Sequence, residues 1–316
     1  MNLPDHGMTP VRPVPDRPLM LPLSDAWARY EAIRDRLPAA RAGCGSPRAV
    51  HRLLDVATEF DGFLFDSFGV LNVGERAVPG AAECLSELRR MGKRFRVLTN
   101  AASYGADAAL AKYRRMGLDV ARGEIVSSRD VTFAHLDDVA PGLRWAAIAA
   151  EGDRFEDAHG LRLFDLLEDS ASWDMAEGFL FLSSMRWNAS LQDRLAASLA
   201  RIPRPVVIGN PDLVAPREDG LSLEPGFWAH DLQDRTGIPP RFFGKPYPEA
   251  FGAALKGLGP GRHAMIGDTL HTDILGGQAA DLATILVTDH GLLAGQDFHR
   301  FVGESGIVPD IVLPSI

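Results

Sequence analysis

A mostly parallel α/β sheet with helices on both faces, interrupted by an inserted second α/β unit, is the fold this sequence predicts. Three observations predict it. From about residue 60 onward, short apolar runs of strand length alternate with amphipathic stretches of helix length. The middle of the chain carries a separate set of such runs. The polar residues that stand out lie just past the carboxyl ends of the apolar runs, where open α/β sheets place their sites.

The elements follow in order. Residues 1–23 are proline-rich and unpatterned, and read as a loose tail. Ser24 and Asp25 read as caps of a helix through Trp27, Tyr30, Ile33 and Leu37 that ends near Pro38. With the glycine-rich joint Gly43-Cys44-Gly45, it forms an N-terminal helical extension over residues 24–58. Gly62-Phe63-Leu64-Phe65 reads as a buried strand ending at Asp66, and Pro79-Gly80 opens a helix with Ala81, Cys84, Leu85 and Leu88 on one face. Phe95-Arg96-Val97-Leu98 is the next strand, ending at Thr99-Asn100, and a helix with Leu110, Tyr113 and Met116 leads to Glu124-Ile125-Val126. Ala264-Met265-Ile266 is a strand ending at Gly267-Asp268, and Thr284-Ile285-Leu286-Val287 is another. Between these halves, residues 141–237 have their own runs: Trp145-Ala146-Ala147-Ile148, Gly178-Phe179-Leu180-Phe181-Leu182 and Pro205-Val206-Val207-Ile208. The main domain is therefore expected at 59–140 and 238–316, with 141–237 inserted into it. No repeat at a fixed period is present.

Composition narrows the function. The 316 residues include 33 Lys and Arg against 42 Asp and Glu, a net charge of −9. Such a balance argues against nucleic acid and against docking on anionic membranes. A small anionic substrate is still admissible, because one local cluster of lysine, cation and backbone N–H groups suffices to hold a phosphate. Cys44 and Cys84 are the only cysteines, which makes no disulfide framework and fits a reducing cytoplasm. No apolar run is long enough to span a bilayer, and Pro-Leu-Met-Leu-Pro-Leu at 18–23 is too short and proline-broken for a signal peptide.

Four segments carry chemistry. In Phe65-Asp66-Ser67-Phe68-Gly69-Val70-Leu71, an aspartate at a strand end precedes a glycine-containing turn. Its carboxylate is exposed beside free N–H groups and suited to attack phosphorus. The plainer reading is an Asp that caps the following turn. In Val97-Leu98-Thr99-Asn100, a hydroxyl and an amide are suited to hold phosphoryl oxygens without adding negative charge, though Thr-Asn is also a common cap sequence. In Gly244-Lys245-Pro246-Tyr247-Pro248, a lysine in a proline-fixed turn is suited to neutralise nucleophile and phosphate together. Lys93, Lys112, Lys245 and Lys256 are the only lysines, so this one is not drawn from a lysine-rich surface. In Ile266-Gly267-Asp268-Thr269-Leu270-His271-Thr272-Asp273, two carboxylates five residues apart, in a loop entering a helix, are suited to converge on one Mg²⁺; the plainer reading is an N-cap Asp followed by an exposed helical Asp. Asp66 and Asp268 side by side require a dication between them if both are ionised.

In this order, Asp-x-x-Gly-Val-Leu, Leu-Thr-Asn, Gly-Lys-Pro and Gly-Asp-x-x-x-x-Asp resemble the haloacid dehalogenase-like superfamily. Val78-Pro79-Gly80-Ala81-Ala82, Gly209-Asn210-Pro211-Asp212 and Asp273-Ile274-Leu275-Gly276-Gly277 are similar to its NagD-like phosphatases, the branch of nucleotide, pyridoxal-phosphate and p-nitrophenyl-phosphate phosphatases. The resemblance covers residue 60 to the C-terminus and implies a Rossmann-like doubly wound core with a large α/β cap at 141–237. It implies Asp66 as nucleophile and Mg²⁺ ligand, the Phe68 carbonyl and Asp268 as further ligands, and Asp273 beside them. Thr99, Asn100 and Lys245 would hold the phosphoryl group, and the loop around Asn210, Pro211 and Asp212 would face the pocket. A small phosphorylated metabolite is the expected substrate, and a homodimer is a family-level expectation.

One position departs from that pattern. Family phosphatases carry a second Asp two residues after the nucleophile, as general acid and base, and here Phe68 stands there. Losing such a group costs roughly 10²–10⁴-fold unless another replaces it. His271 in the metal loop, and Asp212, Glu218, Asp219 and His230 in the inserted domain, are candidate replacements. The vacancy admits three rival readings. Dehalogenases that attack carbon also lack that Asp, but need no Mg²⁺. Phosphonatases use a cap lysine, which this chain cannot supply because no lysine lies between Lys112 and Lys245. The third is a phosphate-binding module that no longer turns over.

Overall fold

The computed structural model describes residues 20–41, 45–168, 172–217 and 220–316. Cys44, Glu218 and Asp219 lie outside these, as does the tail up to residue 19.

The main domain is a seven-stranded sheet in the order Arg48–Ala49, Ile311–Leu313, Ala283–Val287, His263–Gly267, Gly62–Phe65, Arg94–Thr99, Ile125–Ser127. Every pairing in it is parallel. The expected strands are all there, each within a residue or two. The strand Gly62–Phe65 is buried throughout because both its faces are covered. Phe63 and Phe65 pack with Ala81, Cys84, Leu85 and Leu88 of the helix Ala81–Arg90. Leu64, which points the other way, packs with Ala250, Phe251 and Ala254 of the helix Pro248–Leu255. Period-two alternation thus gives each face of the sheet its own helical cover.

The inserted domain is a second parallel sheet of five strands, in the order Arg241–Phe242, Val206–Ile208, Gly178–Phe181, Arg144–Ile148, Arg162–Asp165. It runs beyond the expected end at residue 237. Gly237, left-handed at φ +72°, stops the helix Pro225–Thr236, but Arg241–Phe242 then adds the edge strand before the chain returns to the main domain. An apolar cluster is continuous from Leu64 and Leu98 of one sheet to Leu180 and Val207 of the other.

The N-terminal extension differs most from expectation. The helix spans Leu23–Ala32 with Pro22 at its N-cap, so Ser24 and Asp25 lie inside the first turn rather than capping it. A single 3₁₀ turn at Arg34–Arg36 follows. Met20–Leu21, expected as loose tail, is a strand that pairs antiparallel with Gly220–Leu223 of the inserted domain. At the other end, Arg48–Ala49 pairs with Ile311–Leu313 at the edge of the main sheet. The segment therefore straps one domain to the other. Its helix buries Trp27 against Leu270, Ile274 and Phe301 of the main domain. Ala26, Tyr30 and Ile33 instead join the inserted domain's apolar cluster. Arg29 reinforces the second contact through Asp234 at 2.6 Å. Among the described residues no helix is long and apolar enough to cross a membrane.

Candidate functional site

Three strand ends carry site residues at the carboxyl edge of the main sheet. Asp66 leaves the strand Gly62–Phe65, its backbone N–H still donating to Ile266 O at 2.8 Å. Its Oδ1 accepts from Ser67 N–H at 2.6 Å and pairs with Lys245 Nζ at 2.5 Å. Lys245 Nζ also pairs with Asp273 Oδ1 at 2.7 Å. Asp268 leaves the adjacent strand His263–Gly267, and its Oδ2 accepts from Leu292 N–H at 2.8 Å. One carboxylate oxygen from each of Asp66, Asp268 and Asp273 lies within 4.8 Å of the others, and all three residues are buried. The turn after Asp66 comes this close to Asp268 only because residue 69 is glycine. At φ +84°, a side chain there would stand 2.6 Å from Asp268 Cγ.

The electrostatics are those of an over-acidic pocket. Burial raises the Asp66 carboxyl to about 7, with Asp273 adding to the rise and Lys245 opposing it. Burial, Asp273 and Asp66 hold Asp268 well above the ordinary carboxylate range. Burial works against the Lys245 charge, yet Asp273, Asp66 and Asp212 outweigh it and raise its pKa. A hard dication at this trio would relieve the repulsion, and three convergent oxygen donors suit Mg²⁺. Asp273 is the most committed of the three: Oδ2 accepts from the N–H groups of Asp268 (3.2 Å) and Thr269 (3.1 Å), while Oδ1 meets Lys245. It shapes the loop that presents Asp268.

Of the expected phosphoryl-holding residues, Thr99 is buried at its strand end, with Oγ1 accepting from Ala101 N–H at 3.2 Å. Asn100 is used differently from expectation. Its Oδ1 accepts from Lys245 N–H at 2.7 Å, and its Nδ2 donates to Lys245 O at 3.0 Å and to Asp212 Oδ1 at 2.8 Å. Both amide protons are thereby occupied, so this side chain positions Lys245 and Asp212 and has no donor left for a phosphoryl oxygen. Phe68, half-buried, follows Ser67 in the turn beside Asp268.

The inserted domain brings one loop to the same edge. Asn210 Oδ1 accepts from Asp212 N–H at 3.0 Å, which folds the loop into a tight turn. Pro211 seats on Gly244, where φ is +128° and a side chain would lie 2.6 Å from Pro211 Cδ. Asp212 reaches Asn100, and Leu213 N–H donates to the Tyr30 hydroxyl at 3.3 Å. Burial raises the Asp212 carboxyl to about 7 against the pull of Lys245 and Asn100.

Two expectations fail. His271 is not a replacement acid. It is wholly buried, with Nε2 2.7 Å from Glu31 Oε1 and its ring stacked on Tyr30 at 4.6 Å, and burial depresses its pKa to about 3. His230 does not line the pocket. It is 1% exposed, stacks on Phe242 at 4.9 Å, and is likewise pushed down to about 3 by burial and by Arg36 and Arg29. Sequence reasoning missed Tyr30 and Glu31 at the site's margin, because their partners are 183 and 240 residues away and no local pattern marks them.

A parallel sheet with strand-end carboxylates, a buried lysine and a covering second α/β domain is the architecture of a capped α/β hydrolase. Residues 63–160 match the family model for haloacid dehalogenase-like hydrolases, and residues 242–315 match the model described as HAD-hydrolase-like. Human chronophin is 30% identical over 281 residues, which cover 84% of this chain and 93% of that one. The D-glycerol 3-phosphate phosphatase of Mycobacterium tuberculosis is 32% identical over 237 residues, 73% of this chain and 64% of that protein. The solved p-nitrophenyl phosphatase of Archaeoglobus fulgidus superposes with a TM-score of 0.69 at 25% identity, covering 81% of this chain and 96% of that one. The chain belongs to the haloacid dehalogenase-like superfamily, in its NagD-like phosphatase branch.

Proposed function

We propose that this protein is a Mg²⁺-dependent phosphatase of small phosphorylated metabolites, with Asp66 as covalent nucleophile. One observation carries the reading: Lys245 Nζ bridges Asp66 and Asp273 while Asp268 closes the same 4.8 Å cluster from a separate strand end. Relatives support the substrate class, since the M. tuberculosis protein is named for D-glycerol 3-phosphate and its solved structure, at 29% identity and a TM-score of 0.65, is a complex with magnesium.

Asp66, the Phe68 carbonyl and Asp268 would hold the metal, with Asp273 beside them, bound directly or through water, while it also orients the loop. Bound there, Mg²⁺ would offset the charge of the carboxylates and of the phosphoryl oxygens. Asp66 Oδ attacks phosphorus in line with the leaving oxygen, and Lys245 and Thr99 steady the transferring group. Its carboxyl, raised to about 7 by burial, must be ionised to attack, which makes turnover depend on positive charge nearby. The intact Asp268–Asp273 pair and the buried lysine support metal and phosphate over attack on carbon.

The test is a panel of phosphomonoesters with Mg²⁺, comparing the natural protein with Asp66→Asn. Phosphate release from at least one ester is expected, falling by on the order of 10³-fold or more in the variant. No release above the variant on any ester would identify a phosphate-binding module instead.

A further inference from the structure

The general acid and base missing at Phe68 must come from the side of the site opposite the nucleophile. In an in-line displacement the leaving oxygen departs on the far side of phosphorus from the attacking one. Asp66 attacks from the end of its strand, so the leaving group points away from the main sheet. What covers that edge is the loop Asn210-Pro211-Asp212-Leu213, seated on Gly244 and joined to Asn100.

Resting on the phosphatase reading above, we propose that Asp212 is the catalytic acid and base that replaces the one absent at Phe68. Its Oδ1 is 2.8 Å from Asn100 Nδ2, and the same Nδ2 is 3.0 Å from Lys245 O. The carboxyl is thus one residue removed from the lysine that grips the nucleophile. Oδ1 takes the one side-chain hydrogen bond that the carboxyl makes among the described residues, and the turn made by Asn210 holds the backbone behind it.

The charged groups around Asp212 come from every neighbouring element. Lys245, Asp66 and Asp273 lie at the main sheet's edge, Glu224 caps the next helix, and Tyr30 belongs to the N-terminal helix. Burial in this company, with Asp273 and Glu224 against Lys245 and Asn100, brings the carboxyl to about 7, where it is able both to give and to take a proton near neutrality. The histidines do not compete, since His230 and His271 are closed off.

The cycle balances. As Asp66 Oδ bonds to phosphorus, the bond from phosphorus to the leaving oxygen breaks, and that oxygen takes the Asp212 proton and departs as an alcohol. The Asp212 carboxylate then takes a proton from water as the water oxygen attacks phosphorus. The bond between phosphorus and Asp66 breaks, freeing phosphate and restoring both carboxyl groups.

Leaving-group dependence tests this. Turnover is measured on glycerol phosphate, whose alkoxide needs a proton, and on p-nitrophenyl phosphate, whose phenolate hardly does. Asp212→Asn is expected to lower kcat by roughly 10²–10⁴-fold on the first and less than about tenfold on the second. Adding Phe68→Asp to that variant should restore the alkyl ester preferentially. Equal losses on both esters, or a loss confined to KM, would make Asp212 a binding or positioning residue and overturn the proposal. Phe68→Asp alone tests it even if Asp212→Asn folds poorly. It should raise alkyl turnover by less than about tenfold, and a gain of about 10² or more would show that no acid served the site. If neither ester is turned over by the natural protein while others of the panel are, the same comparison moves to an alkyl and an aryl ester of that panel. If none is, the phosphatase reading itself fails, a result distinct from equal losses.

Discussion

The two halves of the site are built in opposite ways. The main-domain half hangs on strand ends: Asp66, Thr99 and Asp268 are each fixed by the parallel register of adjacent strands, such as Phe65 opposite Ile266 and Val97. Its partners are charges, held at 2.5 and 2.7 Å by one lysine. The covering half hangs on a loop and a strap. Asp212 and Leu213 come from a turn, and Tyr30 and Glu31 from a helix at the start of the chain, joined to the rest by single hydrogen bonds and stacked rings. The first half is electrostatically stressed and geometrically rigid. The second carries a raised carboxyl of its own in Asp212, and owes its place to apolar packing between domains. On the proposed reading, the nucleophile is anchored in the sheet, while the acid and base comes from the loop that covers it.

If that contrast is right, the largest effect follows from Lys245→Met. It strands Asp66 and Asp273 in a buried site without their cation, and breaking a buried pair in this way costs about 3–5 kcal/mol. Thermal unfolding without metal should show the loss, and turnover should vanish with it. A change below about 1 kcal/mol would mean that water, not protein, surrounds the cluster. Asp268→Asn should act the other way on the metal-free protein. Because burial, Asp273 and Asp66 hold that carboxyl far above its ordinary range, its ionised form is costly near neutrality, and the amide removes the cost. The same variant should lose the stabilisation that Mg²⁺ gives, about 2.7 kcal/mol at a hundredfold excess over Kd. Unfolding scans with and without Mg²⁺ measure both signs. An unchanged Mg²⁺ shift would remove Asp268 from the metal site.

What the sequence disclosed follows the same division. Apolar runs ending in Asp66, Thr99 and Asp268 were legible because strand and site residue are contiguous, and a parallel sheet puts all carboxyl ends on one edge. Lys245 was legible from its turn. The use of Asn100 was not, because its amide is spent on residues 112 and 145 positions away. His271 reads as a polar loop residue until the helix that covers it is folded down. That helix was legible as a helix from Trp27, Tyr30 and Ile33, yet nothing in its periodicity says that Trp27 packs on one domain, Ala26 and Ile33 on the other, and Tyr30 on both. The strand Met20–Leu21 is two residues within a proline-rich stretch, too short to carry a pattern and defined only by its partner.

The smallest expected effect probes the strap itself. Tyr30→Phe keeps the ring that stacks on His271 and removes only the oxygen that accepts from Leu213 N–H at 3.3 Å. Burial and the charges of Asp212, Asp268 and Asp273 keep this phenol protonated, so the change removes no charge. The loss is that of a neutral hydrogen bond whose buried donor stays behind, about 1–3 kcal/mol by thermal unfolding. It also leaves the Leu213 N–H without its acceptor, one residue from Asp212. If the strap only fastens the covering domain, KM and kcat should move little for alkyl and aryl esters alike. If Leu213 needs Tyr30 to hold Asp212 in register, kcat on the alkyl ester should fall further than on the aryl ester, in the same sense as Asp212→Asn but by a smaller factor. A loss as large as that of Lys245→Met would dissolve the contrast, because the covering half would then be as tightly fixed as the sheet beneath it.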